Sequence, residues 1–359
     1  MKKDKDITAL IKDSKEKSWR QLDAIKTLGK YDDPRAVTAL VNLLRFEIST
    51  NDYRRPQVKI AESTEVRWEA TKALIAIGKK SVQPLLSVLE NTVPIKGAHE
   101  VYRNLEREEA VWALGEIRDE RAVESLFKII TNRMETKEIQ TVAINALVKI
   151  GEPSIKYLIK ALKSNGEEYR YVLAGTALTA IGSPSVEPLI NVLDDPDFRL
   201  KAIDILGMIG GSRTTESLIL VLAKHPKGEK KLDGLYQFRE RYVDEDIHYA
   251  VRRALQNIGE PALSVLIDSL ESKNEMIRLG SARALGLLGD PRSVEPLIIA
   301  TRDDNEKVRW AALGSLRRTV GNLEELQGEK SVVDMTIIEK LGYPELCIKR
   351  DKDRAIPRI

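Results

Sequence analysis

The chain has one cysteine, Cys347, in 359 residues. That excludes a disulfide framework or a thiolate metal cluster and fits a reducing compartment, so the cytoplasm is the expected location. Histidine is nearly as scarce. His99, His225 and His248 are the only three, and no two stand four apart, so the helical pair that holds zinc is missing. Aromatics make up 5% of the chain, which argues against a β-sandwich. No stretch approaches the roughly 18 apolar residues of a membrane span, and residues 1–15 carry charges where a secretion signal needs an apolar centre. A soluble protein with no membrane partner is expected. Neither sign of charge dominates: 58 basic side chains against 55 acidic leave +3. That is too even for a protein that binds nucleic acid through bulk charge.

What is present is helix-forming and repetitive. Hydrophobic residues make up 42% of the chain, and Ala, Leu, Ile, Lys, Glu and Arg predominate. Residues 277–297 read IRLGSARALGLLGDPRSVEPL, residues 66–86 read VRWEATKALIAIGKKSVQPLL, and residues 198–218 read FRLKAIDILGMIGGSRTTESL. Weaker copies centre on Ala24, Ala110, Ala143, Ala174, Ala254 and Ala311, making nine. In the eighth copy Ile277, Ser281, Ala284, Leu285 and Leu288 occupy positions 1, 5, 8, 9 and 12. At 100° per residue these share one stripe of a helix, and the small members let a second helix approach.

Gly289 then ends that helix, because glycine enters the left-handed conformation at little cost, and Asp290-Pro291 starts another. Gly151-Glu152-Pro153, Gly182-Ser183-Pro184 and Gly259-Glu260-Pro261 repeat the punctuation. Asp32 and Arg118 stand in the glycine slot of the first and third copies, so those turns are expected to be built differently. The second helix follows, as in Val294-Glu295-Pro296-Leu297. A unit of about 30 residues cannot close a core by itself, so neighbours must stack.

The pattern V-R-x-x-A-x-x-A-L-G-x-I-G-D-P-x-A-V-x-P-L resembles the HEAT-like repeats first named from phycobilisome lyases, from about Asp6 to Thr319. The resemblance implies an all-α fold, a right-handed α-α superhelix (α-solenoid) of about nine two-helix HEAT-like repeats. It also implies that the Arg-bearing first helix lines the concave side, and that the position-2 arginines Arg67, Arg199, Arg278 and Arg309 reach acidic residues of neighbouring turns. Residues 1–321 are expected to form a single array, and residues 322–359 a C-terminal cap and charged tail. Three connections are overlong, near 46–62, 91–105 and 224–244, and should project from one rim, as insertions on a working face often do.

Enzymatic motifs were sought and not found. The glycine runs, such as Gly207-Met208-Ile209-Gly210-Gly211, follow helices rather than strands, so they read as helix caps and not as a dinucleotide fingerprint. Deoxyhypusine hydroxylase is a HEAT-repeat enzyme with His-Glu iron ligands at equivalent helices. Here those places hold Arg67-Trp68, Arg107-Glu108 and Arg309-Trp310. No catalytic residue, cofactor or metal is expected.

Positions 3, 7, 10 and 11 of the first helix face away from the shared core. They hold Trp68, Lys72, Trp112, Tyr249, Arg253, Arg283, Trp310, Arg317 and Arg318, the candidate partner-binding residues. Exposed aromatics with arginine are the composition that carries most binding energy at interfaces. The expected function is therefore a non-enzymatic scaffold that binds a partner protein or peptide through its groove and rim insertions. Two alternatives remain open: nucleic-acid backbone binding, by analogy with HEAT-like DNA glycosylases, using Lys72, Arg253, Arg283, Arg317 and Arg318; and a bilin lyase-type role.

Overall fold

The computed structural model describes residues 2–16, 20–44, 56–91, 100–132, 134–162, 168–225 and 237–327. His99, Cys347, and residues 328–359 of the expected C-terminal cap and charged tail lie outside them. All regular structure among the described residues is helical, in two units, Met1–Asn191 and Val192–Ile359. No described helix is long and apolar enough to cross a membrane.

In the first unit a leading helix α1 (Lys2–Lys15) precedes paired helices: α2 (Gln21–Leu28) with α3 (Pro34–Leu44), α4 (Pro56–Ile77) with α5 (Val82–Asn91), and α6 (Glu100–Ile117) with α7 (Val123–Thr131). Then come α8 (Lys137–Ile150) with α9 (Ile155–Leu162), and α10 (Glu168–Ile181) with α11 (Val186–Ile190). The second unit continues with α12 (Pro196–Ile209) and α13 (Ser212–Lys224), α14 (Gln237–Ile258) and α15 (Glu260–Asp268), α16 (Glu275–Leu288) and α17 (Val294–Ala300), and α18 (Glu306–Gln327). Eight of the nine sequence copies thus become helical hairpins whose even-numbered helix is the first, and among the described residues the ninth is α18 alone. The helices α4, α6 and α14 begin inside the three overlong connections and lengthen toward their N-termini, reaching 22, 18 and 22 residues against 14 in α8, α12 and α16.

Two devices set the geometry. The first is the side chain at position 2, which donates to a backbone carbonyl at the end of the preceding helix. The pairs are Gln21 to Ser14 O, Arg107 to Leu89 O, Gln140 to Asn132 O, Arg199 to Leu193 O, His248 Nε2 to His225 O, Arg278 to Ser272 O and Arg309 to Asp303 O, all at 2.7–3.0 Å. The last carbonyls of a helix have no partner within it, so the bond satisfies an orphan acceptor and ties one hairpin to the next. The expected acidic partners are only part of this: Arg278 adds a two-pronged pair with Asp303, and Arg107 a buried one with Glu135. The carbonyl is the constant element, which is why Gln and His can replace Arg.

The second device is a close approach. A Cβ added at Gly115 in α6 would lie 2.6 Å from Cα of Ala146 in α8, and one at Gly207 in α12 would lie 2.5 Å from Cα of Ala254 in α14. Gly29 with Ala73 and Gly286 with Ser315 repeat the arrangement. Position 10 of one first helix thus receives position 8 of the next, so Gly207 is a packing residue in mid-helix rather than a cap. The hairpin turn is closed by buried hydroxyls: Ser81, Ser154 and Ser185 donate to the carbonyls of Leu74, Leu147 and Leu178. Pro188 and Pro296 fall in the first turn of α11 and α17, where a missing N–H removes no helical bond.

The two slots without glycine differ from each other. The first helix of the first copy ends early, at Leu28, so Asp32 sits in a longer turn. Arg118, contrary to expectation, keeps the standard turn and takes the left-handed backbone itself, with φ 56°. That conformation costs a residue with a Cβ roughly 1–2 kcal/mol. Arg118→Gly is therefore expected to stabilise the protein by about 1 kcal/mol in a denaturant titration. Gly207→Ala should do the reverse. An interior helix glycine normally gains about 1 kcal/mol on becoming alanine, but here overpacking should cost about 1–3 kcal/mol.

Candidate functional site

The buried side chain at position 2 also fixes how the first helix is rotated. Arg67, Arg107, Arg199 and His248 are buried, and the next residue lies 100° further round. Position 3 is thereby turned outward. Trp68 (43% exposed) and Val172 (51%) occupy it in the first unit, and Leu200 (37%), Tyr249 (67%) and Trp310 (66%) in the second. These five are more than half of the nine large hydrophobic side chains left exposed among the described residues. An apolar row of this kind is therefore a property of the repeat register rather than scattered surface residues. Leu279 breaks the row. It is buried, because α16 packs on α13 so tightly that a Cβ at Gly280 would meet the Ile219 carbonyl at 2.1 Å.

In the first unit the structure brings three of the expected residues together. Trp68 of α4 and Trp112 of α6 stack with ring centroids 4.9 Å apart and planes 24° from parallel. Lys72, one turn along α4, holds its Nζ 5.7 Å from the centroid of the Trp68 ring and 2.7 Å from the Glu69 carboxylate. Glu108 stands one helical turn before Trp112 on α6, with Glu109 next to it. Burial, and after it the charges of Glu138 and Glu109, push the Glu108 carboxyl above its ordinary range. Glu109 is raised by burial too, against the Thr71 hydroxyl and Arg67.

In the second unit the expected cations divide into two groups. Arg253 pairs with Asp204 at 2.5 Å, and half-buried Arg283 donates to the carbonyls of Leu222 and Ala223. Arg317 and Arg318 of α18 are exposed and make no hydrogen bond or ion pair among the described residues; the same holds for Arg252 of α14. Trp310 reaches Glu306 through its indole N–H at 3.4 Å. The sequence reading missed Val172, Leu200 and Arg252. The first two stand at the same position 3 as Trp68, and reading that register across every copy would have found them. Arg252 stands at position 6, about 60° round the helix from position 3, on the flank of the outward face that positions 3, 7, 10 and 11 define.

No group of three or more His, Cys, Asp or Glu side chains that could hold a metal ion occurs among the described residues. His248 directs Nε2 at the His225 carbonyl, 2.7 Å away.

Known proteins share this architecture. The family described as HEAT repeats matches residues 95–176 and 232–317, and the PBS lyase HEAT-like repeat matches residues 66–91, together just over half of the chain. Deoxyhypusine hydroxylase of Arabidopsis thaliana is 27% identical over 211 residues, 56% of this chain and 60% of that protein. Rho family-interacting cell polarization regulator 1 of Rattus norvegicus is 28% identical over 142 residues, 36% of this chain and 12% of that protein. The chain thus spans three fifths of one curated relative and about an eighth of the other. Among solved structures, the complex of CpcE and CpcF of phycocyanin lyase from Nostoc sp. PCC7120 aligns with 79% of this chain and 94% of that chain, at 19% identity and a TM-score of 0.31. With eight helical hairpins and the first helix of a ninth copy among the described residues, and the matches falling on them, the chain belongs to the HEAT-repeat family, its second copy being of the PBS lyase HEAT-like kind.

Proposed function

We propose that this protein is a non-enzymatic recognition scaffold that grips a partner protein or peptide along the outward face of its first helices. The observation that carries the reading is the exposure at position 3 within each unit: Trp68 in the first, and Tyr249 and Trp310 in the second, on helices that also carry arginines and carboxylates. Large rigid aromatics next to planar donors are the composition of interface hot spots. Repeat stacks offer such surface without needing a chemical centre.

Two observations favour a protein partner over a nucleic acid. Three of the five cations offered for phosphate contact are engaged within the protein: Lys72 by Glu69, Arg253 by Asp204, and Arg283 by backbone carbonyls. Glu108, one turn before Trp112 on α6, is half-buried beside the charges of Glu138 and Glu109, and negative charge so close in sequence to the indole disfavours phosphate there. The relatives' names suggest no shared chemistry with this site.

Trp112→Ala and Arg253→Ala should weaken recovery of a partner from source lysate on an affinity matrix. They should also lower the melting temperature less than buried Leu114→Ala, which is expected to cost about 2–5 kcal/mol. Full recovery by both surface variants would remove this face from the account.

Half-buried Glu108 makes a second prediction. Because the folded protein holds the Glu108 pKa above that of the unfolded chain, its ionised form opposes folding at neutral pH and ceases to do so below about pH 4.5. Glu108→Gln should raise the melting temperature at pH 7 by an amount worth under about 1 kcal/mol. The gap should close as the pH falls toward 4, as followed by thermal denaturation across that range.

A further inference from the structure

On the first unit the packing of three first helices sets a pair of indoles beside carboxylates. α6 packs on α8, and their contacts run in the same order along both helices. Buried Arg107, near the start of α6, pairs with Glu135, just before α8 begins. In mid-helix Gly115 meets Ala146, and near the ends Glu116 pairs with Lys149. The two helices are therefore parallel and in register. Glu108 follows Arg107, and Glu138 lies in the first turn of α8, so both stand at the same end of the pair. On its other side α6 packs on α4, where Trp112 stacks on Trp68 with ring centroids 4.9 Å apart. Glu108 and Trp112, at i and i+4, share a face of α6. Across α4, α6 and α8 the surface thus passes from aromatic to acidic.

The two sides of the indole pair carry opposite charge. On α4, Lys72 holds its Nζ 5.7 Å from the Trp68 ring centroid and 2.7 Å from Glu69, so this ring already attracts a cation. On the α8 side the charge is negative. The amide N–H of Glu138, and after it the Thr136 hydroxyl, hold the Glu138 carboxyl below its ordinary range. Glu108 is driven the other way, by burial first and then by the charges of Glu138 and Glu109. A cation entering here would relieve that repulsion. A planar one could also lay its face on an indole while its edge donates to a carboxylate.

Resting on the scaffold reading above, we propose that this face holds an arginine-bearing basic segment of the partner, one guanidinium lying against the Trp68–Trp112 pair and donating to the Glu108 carboxylate, with the charge of Glu138 beside it. Sign and shape together choose this occupant. An acidic segment or a nucleic-acid strand would bring negative charge against both carboxylates. An apolar segment would cover the rings but leave Glu108 buried without a partner from it. A hard metal ion needs several oxygen ligands converging on one point, and no group of three or more His, Cys, Asp or Glu side chains able to hold one occurs among the described residues.

The test is fluorescence anisotropy on the full chain with three fluorescein-labelled probes: a short peptide alternating Arg and Ser, its counterpart with Glu for Arg, and an oligo-deoxythymidine. The Arg peptide should bind, and more weakly as salt rises. Glu108→Gln should weaken it about tenfold. Because that change should also raise the melting temperature at pH 7, the lost binding cannot come from lost folding. Trp68→Ala should weaken binding at least about threefold, and Trp68→Phe, which keeps a ring, by less. Glu124→Gln removes an exposed carboxylate from α7 of the same copy and should change nothing. Absence of Arg-peptide binding, binding unaffected by both Glu108→Gln and Trp68→Ala, or tighter binding of the Glu peptide or the oligonucleotide would each overturn the proposal. If the Arg peptide fails while Trp112→Ala still loses the captured partner, this inference falls and the scaffold reading stands. If Trp112→Ala and Arg253→Ala leave capture intact as well, both fall.

Discussion

The hydrogen bond that position 2 makes, in seven of the first helices, to a carbonyl at the end of the helix before it is the constraint on which the rest depends. It satisfies a carbonyl that the preceding helix leaves unpaired, and it links successive hairpins. It also sets the rotation of the first helix about its own axis. With Arg199 or His248 tucked inward, the next residue, Leu200 or Tyr249, faces outward. A bond made for stacking thus presents Trp310 and Tyr249 to solvent. The glycine contacts act on the same helices. Gly115 and Gly207 allow neighbours to approach to backbone distance, which leaves no room for side chains to fold back over the exposed face.

Much of this was legible in the residue order. Apolar spacing placed the first helices, the Gly-Glu-Pro turns placed the starts of the second, and small residues at position 8 anticipated close packing. What was not legible depended on three-dimensional partners. The position-2 arginines suggested a ladder of carboxylates, but the shared acceptor is a carbonyl, and no sequence pattern identifies a backbone oxygen. Arg118 carries a side chain where glycine was expected to be required, and it pays the strain because the turn around it is otherwise intact. Leu279 and Gly280 show the opposite limit: their register matches the other copies, yet α16 leans on α13 and buries the position that elsewhere faces outward.

The candidate face was legible by class rather than in detail. Tryptophans and arginines opposite an apolar stripe indicate a surface, and the stacked Trp68–Trp112 pair gives it a form. Which cations are available could only come from coordinates. Arg283 and Arg317 read alike along the chain, but one is spent on the carbonyls of α13 and the other reaches solvent. Val172 and Leu200 were overlooked for a related reason: aliphatic residues on a helix suggest core until their register shows otherwise.

The most direct check is thiol reactivity in a Cys347→Ser background, comparing Val172→Cys and Leu200→Cys at position 3 with Ala174→Cys and Ala202→Cys at position 5. If position 2 sets the helix rotation as described, the first two will be labelled rapidly by a maleimide under native conditions and the second two will stay protected until the protein unfolds. Equal labelling of all four, or protection of the position-3 pair, would contradict it.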